Sequence, residues 1–143
     1  MGTWEIGDGV VEFPDGRRIR GRGLRRKVPV NVEPEFGVYL LGRAPNIAGW
    51  PSRWVRWRDF RLPESTDDAV TVLREAHQRA ASERVEVACG GGIGRTGTAL
   101  AVLAVLSGIA PDDAVIWVRE HYHRRAIETR AQRRWIADVA MRL

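Results

Sequence analysis

The stretch from Val85 to Ser107, VEVACGGGIGRTGTALAVLAVLS, restricts the fold of this chain more than any other. It starts with a short apolar segment, Val85 to Ala88, which is typical of a buried strand. Five residues separate Cys89 from Arg95, and the small and aliphatic residues that follow predict a central helix that is apolar on all sides. A strand, a tight loop and a helix in this order indicate an α/β fold, with the loop at the carboxyl end of a central strand, where such sheets bind ligands.

The residues of this loop favour an anion site. Its glycines leave the backbone free to turn N–H groups inward, and the start of the following helix adds donors and positive potential. Arg95 can hold a phosphate through two parallel hydrogen bonds, and Cys89 at the bottom is a thiol whose negative form the same field favours. A lone cysteine is most often a buried apolar residue, and a glycine run is most often a flexible turn. The order and spacing here instead predict a thiolate nucleophile that faces a bound phosphoryl group.

Length and composition favour one ordinary domain. A chain of 143 residues is long enough for one core, and we expect a single domain, 1–143. The first ten residues carry charges, and the longest apolar run, Ala99 to Leu106, is far too short to cross a membrane. Cys89 is the only cysteine, so no disulfide can form within the chain. We therefore predict a cytoplasmic protein in a reducing compartment, without a membrane partner.

The charge balance is basic, with 23 Lys and Arg against 18 Asp and Glu and a net charge of +5. All the basic residues except Lys27 are arginines, a bias that codon usage and solvated faces can also produce. A positive field would draw phosphorylated partners toward the loop. The cluster of Arg22, Arg25, Arg26 and Lys27 could also bind nucleic acid, but no aromatic residues interleave with it. Nucleic acid is therefore the less favoured partner.

The segment from Cys89 to Gly97, CGGGIGRTG, resembles the C-x5-R-[ST] signature of the cysteine-dependent protein tyrosine phosphatases. It is most similar to the tyrosine and dual-specificity branch, whose loop usually ends in GxGRTG. The resemblance implies a compact phosphatase fold with a central mixed sheet of about five strands flanked by helices. It also implies that the Thr96 hydroxyl stabilises the thiolate, and that the phosphate is bound by Gly90, Gly91, Gly92, Ile93, Gly94 and Arg95.

Two positions depart from the family pattern, one just before this segment and one within it. Ala88 stands where that branch normally has histidine, and Gly91 stands where it normally has alanine. Because the histidine contributes hydrogen bonds that brace the loop, we expect weaker bracing in this chain.

A second segment, WRDFRLP from Trp57 to Pro63, resembles the WPDxxxP loop that supplies the general acid in this family. The alternation of apolar and charged residues before it predicts a strand that ends at a loop near Asp59. The resemblance makes Asp59 the acid, while a surface or helix-capping carboxylate is the alternative. Arg58 takes the place of the loop's proline, and because a fixed φ is lost we expect looser loop closure.

The remaining patterns complete the predicted fold. Strands are expected near 10–13, 17–22, 38–41, 54–57 and 85–88, with residues 1–37 forming a hairpin and then an irregular arm over 23–36. Helices are expected after Ser65, Pro111 and Thr129. Thr129 and Gln132 match a capping box, but 127–136 also resembles the phosphatase segment whose glutamine positions the attacking water, so both roles stay open for Gln132. His77 stands alone, and His121 and His123 lie two residues apart, which on a helix points them away from each other, so we expect no metal site.

Together these features predict a phosphatase that hydrolyses phosphotyrosine, and also phosphoserine or phosphothreonine, on a protein partner. The reaction would pass through a cysteinyl-phosphate and would need no metal or cofactor. The five loop residues include no lysine, which argues mildly against highly charged inositol phosphates. Three alternatives remain: an RNA 5′-triphosphatase with the same cysteine chemistry, a non-catalytic phosphoprotein-binding domain and a sulfurtransferase-like domain.

Overall fold

A computed structural model describes residues 2–26 and 32–143. Within these ranges the chain forms five strands, four α-helices and one 3₁₀ turn, Pro111–Asp113. The strands are β1 (Val10–Glu12), β2 (Arg18–Gly23), β3 (Phe36–Leu41), β4 (Ser52–Arg56) and β5 (Val85–Cys89). The helices are α1 (Thr66–Arg79), α2 (Gly94–Leu106), α3 (Ala114–His121) and α4 (Arg130–Ala140).

The strands form one mixed sheet in the order β1-β2-β5-β3-β4. Only β1 and β2 pair antiparallel, as a hairpin, and the other neighbours are parallel. The predicted central mixed sheet of five strands is thus confirmed. Val87 pairs with Gly21 of β2 on one side and with Val38 of β3 on the other. This register places β5 in the middle of the sheet, so its carboxyl end at Cys89 opens on the centre of one sheet edge.

One face of the sheet is apolar and packs against the helices. Val85 and Val87 of β5 are fully buried and belong to the same core cluster as Leu100 and Leu103 of α2. The predicted central helix is confirmed, because α2 is buried on all sides from Gly94 to Ala104. Helices α1 and α4 contribute their apolar faces to the same cluster, with Ala69, Leu73, Ala76, Trp135, Ile136 and Val139.

The opposite face holds a buried charge network around Glu86 of β5. This fully buried carboxylate accepts hydrogen bonds from Arg22 at 2.7 and 3.0 Å, from Arg20 at 2.8 Å and from the Tyr39 hydroxyl at 2.9 Å. Burial alone would raise the pKa of Glu86, but the arginine hydrogen bonds outweigh it and the pKa is lowered. The basic cluster of the sequence is therefore divided, since Arg22 is held in an internal ion pair.

The N-terminal arm is more regular than the sequence predicts. Strand β2 reaches Gly23, and the backbone N–H groups of Leu24 and Arg25 bond to the carbonyls of Cys89 and Gly90 at 2.9 and 3.0 Å. This close approach depends on Gly23, because a Cβ there would lie 2.5 Å from the Gly91 carbonyl oxygen. Strand β3 already begins at Phe36, so the irregular part of the arm is shorter than 23–36. Lys27 lies outside the described residues.

None of the helices in the described ranges is long and apolar enough to cross a membrane. His77 contacts Asp15, and His121 stacks on Trp117. In the part of the chain that the structure describes, no group of three or more His, Cys, Asp or Glu side chains could hold a metal ion.

Candidate active site

The loop between β5 and α2 forms the floor of a cavity of about 200 Å³. Cys89 lies at its base, 2% exposed, and its Sγ accepts the N–H of Gly92 at 3.1 Å. Gly92 has a φ of +75°, and a Cβ there would also lie 2.5 Å from the backbone nitrogen of Gly23. Glycine is thus required at this position for two reasons, conformation and space. The loop presents a thiol and a turn of backbone donors to one small cavity.

Arg95 has one end fixed by hydrogen bonds and one end, Nε, without a hydrogen-bond partner among the described residues. The side chain is 5% exposed, and its Nη1 donates to the carbonyls of Leu40 at 3.1 Å and Trp57 at 3.0 Å. Its Nε is buried and has no hydrogen-bond partner. A buried donor without a partner costs on the order of 1–3 kcal/mol, and a bound anion would remove that cost. The guanidinium is therefore oriented for a ligand by the backbone of two other segments.

Thr96 also has an unpartnered buried group in the first turn of α2. Its hydroxyl is fully buried and makes no hydrogen bond to any residue that the structure describes. The nearby Thr98 hydroxyl behaves as hydroxyls in helices commonly do, donating to the Gly94 carbonyl at 2.7 Å. The contrast distinguishes Thr96 from an ordinary helical threonine.

Tyr122 braces the loop from behind, a contact that the sequence did not predict. Its hydroxyl donates to the Gly92 carbonyl at 2.6 Å, and its ring packs so closely on Gly21 that a Cβ there would lie 2.5 Å from Cε1. Burial raises the pKa of the Tyr122 hydroxyl. The loop therefore has a brace although Ala88 replaces the family's histidine.

Asp59 lies at the mouth of the same cavity. Its Oδ1 is 3.6 Å from Arg95 Nε and its Oδ2 is 3.7 Å from Arg25 Nη2, and the side chain is 42% exposed. Oδ1 also accepts the N–H of Phe60 at 3.1 Å. Phe60 has a φ of +60°, which is uncommon for a bulky side chain and costs on the order of 1–3 kcal/mol. The structure thus brings the predicted acid to the predicted phosphate loop.

Hydrogen bonds close the loop that carries Asp59. The buried Trp57 donates through Nε1 to the Arg61 carbonyl at 2.7 Å, and Trp57 also forms an antiparallel bridge with Pro63. The Arg61 N–H bonds to the Arg58 carbonyl at 3.1 Å. The looser loop closure expected from Arg58 stays a prediction. These hydrogen bonds constrain the loop in the absence of the rigid φ that a proline at position 58 would provide.

Gln132 is a capping residue in this structure. Its Oε1 accepts the N–H groups of Glu128 at 3.0 Å and Thr129 at 3.2 Å, while its own N–H bonds to the Thr129 hydroxyl. Its Nε2 donates to the Arg61 carbonyl at 3.2 Å, which ties α4 to the loop of Asp59. The structure thus shows the capping role for this fully buried side chain, and the catalytic role of Gln132 stays a prediction.

Two charged side chains at the cavity were missed as site residues. The Glu128 carboxylate lies against Gly94, and burial raises its pKa, with Asp59 adding to this and Arg95 opposing it. The Arg25 guanidinium lies against Gly90 at the other end of the loop. Arg25 was visible only as part of a basic cluster, and Glu128 only as a neighbour of the α4 cap.

Sequence comparisons place the chain among phosphatase domains. The model of a family described as "PTP-SAK: Swiss Army Knife protein, DSP-PTPase phosphatase domain" matches residues 59–141. Two uncharacterized proteins of Methanocaldococcus jannaschii are 35% and 33% identical to this chain over 88 residues, 62% of its length. The chain covers 54% and 58% of these proteins, so it spans about half the length of the curated relatives.

Solved structures share the fold. Tk-PTP in its active form superposes with a TM-score of 0.76 at 23% identity, over 96% of this chain and 100% of that one. Kinase associated phosphatase gives the same TM-score, 0.76, at 15% identity, over 98% and 97% of the two chains. Since the family match covers more than half of the sequence and the fold agrees with it, the chain belongs to the DSP-PTPase phosphatase domain family.

Proposed function

We propose that this domain hydrolyses phosphotyrosine, with phosphoserine and phosphothreonine as further substrates, through a cysteinyl-phosphate on Cys89. The observation that carries the proposal is the proximity of three groups. The Cys89 thiol and the Asp59 carboxylate line one cavity of about 200 Å³, and the Nε of Arg95, which has no hydrogen-bond partner among the described residues, lies 3.6 Å from that carboxylate. A thiolate nucleophile, an anion clamp and a proton donor are the groups that phosphomonoester cleavage by covalent catalysis needs.

In the first step, the loop N–H groups and the free edge of Arg95 hold the phosphoryl group. The Cys89 thiolate attacks phosphorus, an S–P bond forms, and the bond to the leaving oxygen breaks. Asp59 gives its proton to that oxygen. A bound phosphate dianion takes the place of Asp59 at Arg95, and the protonated Asp59 then faces the leaving oxygen.

In the second step, water attacks the cysteinyl-phosphate, Asp59 accepts a proton from that water, and the S–P bond breaks. The departing thiolate is stabilised by the N–H of Gly92, which already lies 3.1 Å from Sγ. The unpartnered Thr96 hydroxyl is the second donor in this proposal. Neither step uses a metal or a cofactor.

The mouth of the cavity supports an aryl leaving group. Phe60 lines the cavity, and the residue is 57% exposed, an unusual position for a large apolar side chain. A phenyl ring on the substrate could pack against it. The division of the basic cluster argues against a continuous nucleic-acid surface, because Arg22 is occupied by Glu86. A phosphorylated protein is therefore the proposed partner.

The test is hydrolysis of phenyl phosphate and of a phosphotyrosine peptide in the presence of a chelator. We expect turnover by the native protein, none by Cys89→Ser, and a phosphorylated cysteine after acid quenching. A Ser107→Ala variant is the control for a buried hydroxyl removed elsewhere. Hydrolysis that persists in Cys89→Ser but stops on addition of the chelator would overturn the proposal.

A further inference from the structure

We propose that Arg25 forms a second anion subsite beside the catalytic cavity, and that the domain prefers phosphoprotein substrates with an acidic side chain next to the phosphorylated residue. The inference rests on the proposed function and adds a specificity-determining residue from the N-terminal arm. It starts from a cation that lines the same cavity as Cys89 and Asp59 without being part of the C-x5-R loop.

The backbone fixes Arg25 beside the loop. The pairing of β2 with β5 continues past the strand ends, since Leu24 donates to Cys89 and Arg25 to Gly90. The side chain then lies directly on Gly90, where a Cβ would lie 2.5 Å from Arg25 Nη2. The guanidinium is thus positioned by the arm, although the side chain is 71% exposed.

Asp59 places Arg25 on the leaving-group side of the cavity. One carboxylate oxygen lies 3.6 Å from Arg95 and the other 3.7 Å from Arg25. During the first step Arg95 holds the phosphoryl group and Asp59 contacts the leaving oxygen, so Arg25, beyond Asp59, flanks the rest of the leaving group. When Asp59 carries its proton it is neutral, and Arg25 loses its ion pair. A substrate anion can then take that place.

The two ends of the loop differ in charge, which gives the subsite a direction. Arg25 lies at Gly90, whereas the Glu128 carboxylate lies at Gly94. An acidic substituent on the leaving group is attracted to the first end and repelled from the second. Two kinds of substrate carry a negative charge on the leaving group: a peptide with a carboxylate beside phosphotyrosine, and a di- or triphosphate, in which the leaving group is itself a phosphate. The position of Asp59 favours the ester, because a phenolate needs the acid's proton to leave and a departing phosphate does not.

The first test compares 4-carboxyphenyl phosphate with its neutral counterpart, 4-carbamoylphenyl phosphate. We expect kcat/KM of the native protein to favour the carboxylate by roughly twofold to fivefold, the range of an exposed ion pair, and less at high salt. Arg25→Gln should abolish this preference, measured as the ratio of the two kcat/KM values, and Arg25→Lys should restore part of it. Arg26→Gln, whose native side chain lines another cavity, is the matched control.

The second test identifies the source of the anion. Phosphotyrosine peptides with Glu or Gln beside the phosphotyrosine are compared with an RNA oligonucleotide that carries a 5′-triphosphate. The proposal predicts that Arg25→Gln removes the preference for the Glu peptide. The proposal is overturned if the preference for the Glu peptide survives in Arg25→Gln. It is also overturned if the native protein cleaves the triphosphate faster than the Glu peptide and Arg25→Gln lowers the rate on the triphosphate more than the rate on the peptide. If the native protein hydrolyses none of these substrates, and Cys89→Ser behaves in the same way, the proposed function itself is refuted.

Discussion

Removal of the Tyr122 hydroxyl tests whether the loop depends on a brace from outside the C-x5-R segment. In Tyr122→Phe the ring that packs on Gly21 remains, and only the 2.6 Å hydrogen bond to the Gly92 carbonyl is lost. That bond holds the Gly92 carbonyl, and because the C=O and N–H of one trans peptide unit point in opposite directions, it also fixes the direction of the Ile93 N–H in the loop. The loop amides should therefore be less well aligned in the variant.

The size of the effect follows from one hydrogen bond. A net contribution of about 0.5–1.5 kcal/mol corresponds to about a twofold to tenfold weaker affinity for inorganic phosphate if the loss falls on the bound state. The same free energy lowers Tm by about 2–6 °C if it falls on folding. Phosphate affinity is measured by competitive inhibition and Tm by calorimetry. Tyr39→Phe, which loses a hydroxyl bonded to Glu86 on the other face of the sheet, should lower Tm without weakening phosphate binding.

The brace would be refuted by a Tyr122→Phe variant that binds phosphate and turns over substrate like the native protein. Equal losses of phosphate affinity in Tyr39→Phe would also count against it, because they would show that general loosening of the sheet, and not the Gly92 contact, controls the loop.

Three further predictions concern the carboxylates and the thiol. Asp59→Asn should slow phenyl phosphate hydrolysis by about 10²–10⁴-fold and p-nitrophenyl phosphate hydrolysis less, because a poor leaving group depends most on the acid. Equal loss of rate on the two substrates, or the same loss in Asp67→Asn, would indicate a structural role for Asp59. Glu128→Gln should bind phosphate more tightly than the native protein at pH 7, because the native carboxylate repels the anion. The difference in affinity should vanish as the pH falls below the raised pKa of Glu128, since the native side chain is then neutral too. Weaker phosphate binding by the variant at pH 7 would contradict this. Peroxide should inactivate the protein without forming a disulfide within the chain, and added thiol should restore activity less completely after longer exposure, whereas full resistance at neutral pH would show that Cys89 is not a thiolate.

The parts of the site that could be predicted from the sequence are those made within one segment. The order of strand, glycine-rich loop and helix around Cys89 and Arg95 needs only contacts over a few residues. The same is true of the caps at Ser65 and Thr129, whose side chains bond to N–H groups three residues ahead. The apolar faces of α1 and α4 likewise lie within single helices, where buried residues recur at the helical period. The loop of Asp59 was found by its resemblance to a family pattern, not by periodicity.

The groups that surround this loop depended on the tertiary structure. Tyr122 reaches Gly92 across 30 residues, and Arg25 reaches Gly90 across 65, because β2 pairs with β5 and the end of α3 packs behind them. In the sequence, Glu86 is a single charge within an apolar strand. Its partners Arg20, Arg22 and Tyr39 lie on the neighbouring strands β2 and β3, so they are known only once the order of strands in the sheet is known. Local patterns encode turns, caps and buried faces, since those interactions lie within a few residues. Which distant side chains meet is set by strand order, and here strand order decides how the loop is braced and what charge stands at its mouth.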